Sequence, residues 1–131
     1  MFTGGAMRAV IFTLTLVGIT LTVLGCDREY IYRVEGRVKD GVTIEPIRGI
    51  QVECVQLNGE AEGSGQTDVD GNYVCEVVDE AFAAKEAVDQ ILITFEDNDG
   101  ADNGGPYQSR SRELDVTDGE PYYLNTTLDP P

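Results

Sequence analysis

Residues 30 to 39 read YIYRVEGRVK, and no other stretch limits the fold as tightly. Laid out as an extended chain, Tyr32, Val34 and Val38 fall on one side. Arg33, Glu35, Arg37 and Lys39 fall on the other. Period-two alternation of this kind marks a strand with one buried and one wet face. The same grammar recurs down the chain. In PIRGIQVECVQL, Ile50, Val52 and Cys54 oppose Gln51 and Glu53. In NYVCEVV, Tyr73, Cys75 and Val77 alternate with Val74 and Glu76, and in QILITFE, Ile91, Ile93 and Phe95 turn inward. A short GQTDV run, SRELDV and YYLNTTL complete seven expected strands. Asp40-Gly41, Asn58-Gly59 and Asp70-Gly71 punctuate them, and Asp-Gly between extended runs is a hairpin signal. Many short strands separated by turns imply an all-β sandwich. One segment breaks the pattern. DEAFAAKEAV, residues 79 to 88, is rich in helix formers with acids at its start, which predicts one or two helical turns.

The N-terminus is an address rather than a structural element. From Met7 the chain reads MRAVIFTLTLVGITLTVLGC: one positive charge, Arg8, then an uncharged run from Ala9 to Leu24, then Gly25 and Cys26. A basic start, an apolar middle and a small residue at the cut site describe a secretory signal. The apolar run falls short of the ~20 residues a spanning helix needs. Val23-Leu24-Gly25-Cys26 resembles the bacterial lipobox. That resemblance implies diacylglycerol on the Cys26 thiol and cleavage before it, with stable anchoring because two or more acyl chains act together. The expected organisation is a signal peptide over 1–25, a lipidated tether over 26–29 and a β-sandwich over 30–131. The expected location is the bacterial cell envelope, with the membrane engaged through the lipid on Cys26.

Composition then excludes several chemistries. The 131 residues carry 24 acids, 9 bases and no histidine, for a formal charge of −15. Without histidine, no Ser-His-Asp or Cys-His catalytic arrangement and no histidine zinc site can form. Nucleic acid is not an expected partner, since phosphate backbones require clustered Lys and Arg. Cutting at Cys26 removes only one charged residue, Arg8, so the mature chain stays strongly acidic. No catalytic residue is assigned, and the chain is expected not to be an enzyme.

Two resemblances follow from the motifs. G36-R-V-K-D, E45-P-I-R-G-I-Q-V and T67-D-V-D-G-N-Y are together similar to the carboxypeptidase regulatory-like, or transthyretin-like, domain. That implies a seven-stranded Greek-key β-sandwich, with Gly49 turning the chain into the second strand and Gly71 supplying a positive φ in the hairpin. The lipobox, the sandwich and I93-T-F-E-D-N-D-G-A-D-N-G-G resemble the radical SAM-associated lipoproteins. That kinship implies a compartment and a neighbouring radical SAM enzyme as partner, or as an enzyme for which this chain is a modification client. It implies no known activity. The function expected is a lipid-anchored binding or accessory module, with a calcium-stabilised adhesion or carbohydrate-binding module as an alternative.

Three groups of residues are candidate sites. Asp97, Asp99 and Asp102, with Glu96 and Asn103, offer only oxygen ligands, which suits Ca²⁺. The spacing is not that of an EF-hand, because Ala101 and Gln108 occupy two ligand positions, and Asp, Asn and Gly also build ordinary turns. Asp68 and Asp70 form a weaker pair with a hairpin explanation. Cys54 and Cys75 would both point inward. In an oxidising envelope they either bridge, worth roughly 3 kcal/mol in the chain-entropy model, or pack as buried thiols.

Overall fold

The computed structural model describes residues 28–81, 85–100, 102 and 106–131. The segments expected to be a signal peptide and lipobox, with Cys26, lie outside the described residues. Eight strands follow in order: β1 (Arg28–Asp40), β2 (Ile50–Gln56), β3 (Glu62–Gln66), β4 (Asn72–Ala81), β5 (Val88–Asp97), β6 (Arg110–Thr117), β7 (Tyr122–Tyr123) and β8 (Thr126–Leu128). They form two sheets. One is β4-β1-β7, with β8 also on β1; the other is β3-β2-β5-β6. The β2–β3 and β5–β6 hairpins stay within one sheet, while every other connection between successive strands up to β7 crosses to the opposite sheet.

The alternation of β1 does what its sequence says. Tyr30, Tyr32, Val34 and Val38 are buried on the inner face. They meet Val52, Cys54, Ile91, Ile93 and Phe95 from the facing sheet in one continuous core. Tyr73 of β4 packs edge-on against Phe95 of β5, ring centres 5.3 Å apart, across the sandwich. Its hydroxyl donates to the Leu124 carbonyl at 2.7 Å, so the polar tip of a buried ring is satisfied.

The TDVDGNY motif is explained locally. The Thr67 hydroxyl accepts the buried Ile50 N–H at 2.8 Å and so fixes the start of β2. One oxygen of Asp68 accepts both the Asp70 and Asn72 N–H groups at 2.9 Å. Gly71 takes φ 76°, as its place in the turn requires, and Gly49 takes φ 82°. Asp68 is thus a turn organiser, in keeping with the hairpin reading of the Asp68/Asp70 pair.

Four expectations need correction. Residues 79–81 are not helical: Asp79, Glu80 and Ala81 extend β4, paired with Tyr30, Glu29 and Arg28. Helix propensity favours Ala and Glu by only tenths of a kcal/mol per residue, and a ladder beside a buried Tyr30 outweighs it. Residues 85–87 are not helical either, and 82–84 lie outside the described residues. The tether is shorter than 26–29, because Arg28 and Glu29 already belong to β1. The third strand is Glu62–Gln66 rather than GQTDV. Finally, YYLNTTL forms two strands. Leu124 drops into the core and the Asn125 side chain accepts the Arg37 N–H at 3.0 Å, which interrupts the ladder.

The reason β3 sits at residues 62–66 is steric. Gly63 and Gly65 face β4, where a Cβ would stand 1.9 Å from the Glu76 carbonyl oxygen and 2.1 Å from that of Val74. Two sheets touch backbone to backbone there, and only glycine fits. Gly63→Ala is expected to cost about 3 kcal/mol or more, at the upper end of overpacking effects. Gly119→Ala, at φ 77° with open space around it, should cost only about 1 kcal/mol. Urea unfolding of both variants separates the two effects; equal losses would mean that β3 can move away from β4.

Candidate functional site

The acidic loop is held by its own carboxylates. Asp97 closes β5, and its two oxygens accept the Asp99 N–H at 3.2 Å and the Tyr107 N–H at 3.0 Å. The Tyr107 hydroxyl donates to Asp40 at 2.8 Å. Asp40 in turn accepts the Val42 and Thr43 N–H groups at 2.7 and 3.0 Å, shaping the β1–β2 loop. In that loop Ile44 is held at φ 65°, a strained value for a β-branched residue. Tyr107 therefore ties two loops together through one carboxylate of each. Backbone N–H groups of Thr43 and Val42, with the tyrosine hydroxyl, lower the Asp40 pKa. Burial, and then the hydrogen bond to Asp40, push Tyr107 up to about 12. Asp97 is raised, first by desolvation and then by the adjacent Asp99 carboxyl.

Asp102 does not complete a cage. Its N–H donates to the Asp99 carbonyl at 3.2 Å, a turn contact. Among the described residues no three carboxylates or thiols gather closely enough to hold a metal ion. The calcium expectation for Asp97, Asp99 and Asp102 therefore finds a carboxylate pair and a turn; Ala101 and residues 103–105 lie outside the described residues.

Cys54 on β2 and Cys75 on β4 face each other across the core as free, fully buried thiols. The hydrogen bond with Cys75, then burial, drives the Cys54 thiol well above its ordinary range. Neither is poised as a nucleophile. The expected inward orientation is present, and the disulfide is not formed in this structure.

At the end of the sandwich near residue 85, Lys85 gathers Asp79 and Asp89, the latter at 2.9 Å. Gln56 donates to both carboxylates at 2.8 Å. The ammonium lies 5.3 and 5.2 Å from the ring centres of Tyr30 and Tyr32. Burial pulls the Lys85 pKa down, but the hydrogen bonds to Asp79 and Asp89 outweigh it and leave it raised. This cluster is a charged clasp on the β4–β5 connection. Sequence reasoning assigned it to a helix and missed it.

The concave feature is at the opposite edge of the sandwich. A groove of about 980 Å³ opens between β1 and β8 on one side and β6 on the other. Its wall includes Arg37, Lys39, Arg110 and Arg112, with Tyr123 and Asn125. Register explains the arginines. Arg110 pairs with Phe95 and Arg112 with Ile93, so both continue the inner face of Leu114 and Val116 beyond the end of the core. Stepping back by twos from Leu114 would have found them in the sequence. Of the tyrosines, Tyr30, Tyr32 and Tyr73 are core, while Tyr123 is 70% exposed at the groove.

No protein-family model matches the chain, and no curated protein matches it either. Solved structures resemble it in fold. Klebsiella pneumoniae 5-hydroxyisourate hydrolase matches at TM-score 0.44 and 14% identity, over 76% of this chain and 91% of the hydrolase. The minor pilin GBS52 of Streptococcus agalactiae matches at TM-score 0.45 and 11% identity, over 78% of this chain and 45% of the pilin. A 9R-lipoxygenase from Cyanothece PCC8801 matches at TM-score 0.46 and 20% identity, over 75% of this chain and 16% of the enzyme. The chain thus spans less than half of the pilin and a small part of the lipoxygenase. The described residues form an all-β sandwich of two sheets.

The Asp97–Asp99 pair has a pH signature. Folding raises the Asp97 pKa, so the folded state holds that proton more tightly. The stability it contributes is complete below the ordinary carboxylate value of about 4 and is lost as pH rises through the raised value. Asp99→Asn should bring the Asp97 pKa down and flatten that loss, read by carboxyl ¹³C NMR and by unfolding at a series of pH values. An unchanged Asp97 would leave burial as the whole cause. Melting with EDTA and with CaCl₂ at matched ionic strength should show no calcium-specific shift. A calcium-specific rise of several degrees would show that the loop closes on the metal when it is supplied.

Proposed function

We propose that this chain is a lipid-anchored envelope protein whose β-sandwich acts as a non-enzymatic binding or accessory module. The observation that supports the reading best is the groove along the β1/β6 edge. It is a concave surface on a body whose charged clusters around Lys85 and Asp97 are spent on holding loops. Its volume lies in the range of ligand sites, and its wall mixes an exposed tyrosine with convergent polar groups. The lack of any histidine in the chain supports a non-enzymatic role. The finer kinship, to the radical SAM-associated lipoproteins, rests on the lipobox and the T94-F-E-D-N-D-G run. On that reading the partner is a neighbouring radical SAM enzyme acting at the envelope.

Two measurements test the proposal. The full-length chain produced in a bacterial host should fractionate with membranes and carry acyl chains on Cys26 by mass spectrometry. Cys26→Ser should abolish both. A full-length chain that stays soluble and unacylated would sink the anchor. For the binding role, ¹⁵N NMR of the full-length protein in detergent against a mixed panel of small metabolites, oligosaccharides and peptides should give perturbations clustered at Arg37, Arg112, Tyr123 and Asn125. A panel that leaves these amides unmoved would sink the binding module.

A further inference from the structure

We infer that the β1/β6 groove is an oxyanion site, built for a small ligand that carries two or more carboxylate, phosphate or sulfate groups. The inference rests on the binding-module reading and names the ligand chemistry for its groove.

The charge distribution carries it. The chain has 24 acids and only 9 bases, so a basic side chain has abundant carboxylates to pair with. Arg28, Arg33 and Lys85 do so, with Asp118, Glu35 and Glu76, and Asp79 and Asp89. Arg37, Lys39, Arg110 and Arg112 do not: none has a carboxylate within salt-bridge distance among the described residues. All four line the same groove. The single acid on its wall, Glu35, is neutralised from outside by Arg33, whose Nε donates to it at 2.8 Å. Arg48 lines a second concavity, beside Asp68 and Asp99; the first groove gathers the other four bases without an ion pair around a single acid.

The geometry is that of a receiving site rather than of loose surface charge. Arg110 Nη1 donates to the Thr127 carbonyl at 2.8 Å, and Arg37 Nε donates to the Asn72 side-chain oxygen at 3.2 Å. Both guanidinium groups are braced by neutral acceptors, which leaves charge and further N–H donors of each fork for a ligand. Arg112 reaches the groove wall through its inner-face register opposite Ile93 and is exposed there. Arg110 and Arg112, two residues apart on one face of β6, stand about 7 Å apart along the strand. Two guanidinium forks at that spacing fit a ligand with more than one anionic group, while Arg37 and Lys39 add positive charge from the outer face of β1. Bidentate arginine contacts suit the planar or tetrahedral oxygens of carboxylate, phosphate and sulfate alike. The negative charge of the rest of the chain does not cancel this field, since screening limits it to about 8 Å at physiological salt.

The test is calorimetric titration of the full-length protein, in detergent and at constant ionic strength, with inorganic tripolyphosphate, citrate and neutral maltotriose. Saturable binding of tripolyphosphate or citrate is expected, with Kd of about 100 µM or tighter. The better of the two reports whether phosphate or carboxylate is preferred. Arg112→Gln should weaken binding about tenfold, and Arg110→Gln likewise. Arg28→Gln, which removes a charge paired with Asp118 away from the groove, should leave it unchanged. Because Arg110 also ties β6 to β8, Arg112→Gln is the deciding variant if Arg110→Gln melts early. No saturable anion binding overturns the inference, as does equal weakening by Arg28→Gln, which would mark a non-specific charge effect. Maltotriose binding in the groove without anion binding overturns the anion class and leaves the binding module standing. Silence from all three, together with unmoved groove amides in the panel above, removes both.

Discussion

The contact of β3 with β4 sets the shape of the whole molecule. Gly63 and Gly65 let two backbones from different sheets meet without side chains between them. Elsewhere the sheets are held apart by Tyr32, Tyr73, Phe95 and the aliphatic residues of the core. A sandwich pinched along one edge opens along the other. The opposite edge, where β6 faces β7 and β8, is the groove. The glycines that close one side and the arginines that line the other are therefore two ends of one wedge, and the site is positioned by packing some distance from it.

Within its own sheet, β1 is paired along both edges. Along one side it pairs with β4 from Arg28 to Arg37. Along the other it carries β7 and then β8. The break between them lies opposite Gly36, where a Cβ would stand 1.9 Å from the Leu124 carbonyl oxygen. That carbonyl is held by Tyr73 from β4. The Asn125 side chain then takes the Arg37 N–H that a continuous strand would have taken. The local irregularity is fully hydrogen-bonded, which is why it can persist beside a packed core.

Much of this was legible from residues alone. Alternation placed Tyr32, Val34, Cys54, Tyr73, Cys75, Ile93 and Phe95 inside, and they are inside. The turn chemistry of Asp68 and Gly71 was readable because it is local: the side chain bonds backbone two and four residues on. What misled was composition without partners. Residues 79 to 88 look helical because propensity counts Ala, Glu and Lys. It cannot count the Tyr30 ladder, or the Gln56 and Lys85 that occupy the Asp79 and Asp89 carboxylates. The FEDNDG run drew attention through its density of carboxylates. Its described acids are instead spent within the chain: Asp97 on backbone N–H groups, with Asp99 turned against it. The groove was overlooked for the converse reason. Arg112 in SRELDV and Arg110 just before it were not singled out, since an inner-face arginine makes sense only once the facing sheet is seen to end short of it.

Net charge was the least informative guide to the site. A value of −15 is a sum over the chain, but potential at a surface is felt over about a Debye length. Within that distance, local sorting decides the sign. Asp97 and Asp99 crowd into one loop, at the cost of mutual repulsion that raises the Asp97 pKa. The unpaired cations collect in the groove, where they repel one another in turn. Neither arrangement minimises the electrostatic energy of the isolated chain; interleaving the two sets would lower it. The loop's repulsion is offset internally, because Asp97 accepts the Tyr107 and Asp99 N–H groups and the web through Tyr107 to Asp40 holds two connections in place. In the groove, Arg110 and Arg37 donate to Thr127 and Asn72, but these acceptors are neutral and offset no charge. Among the described residues Arg112 braces nothing, and Lys39 has no carboxylate in reach. Repulsion that no internal opposite charge offsets is what an external anion would relieve, and this separates the groove from the clusters around Lys85 and Asp97.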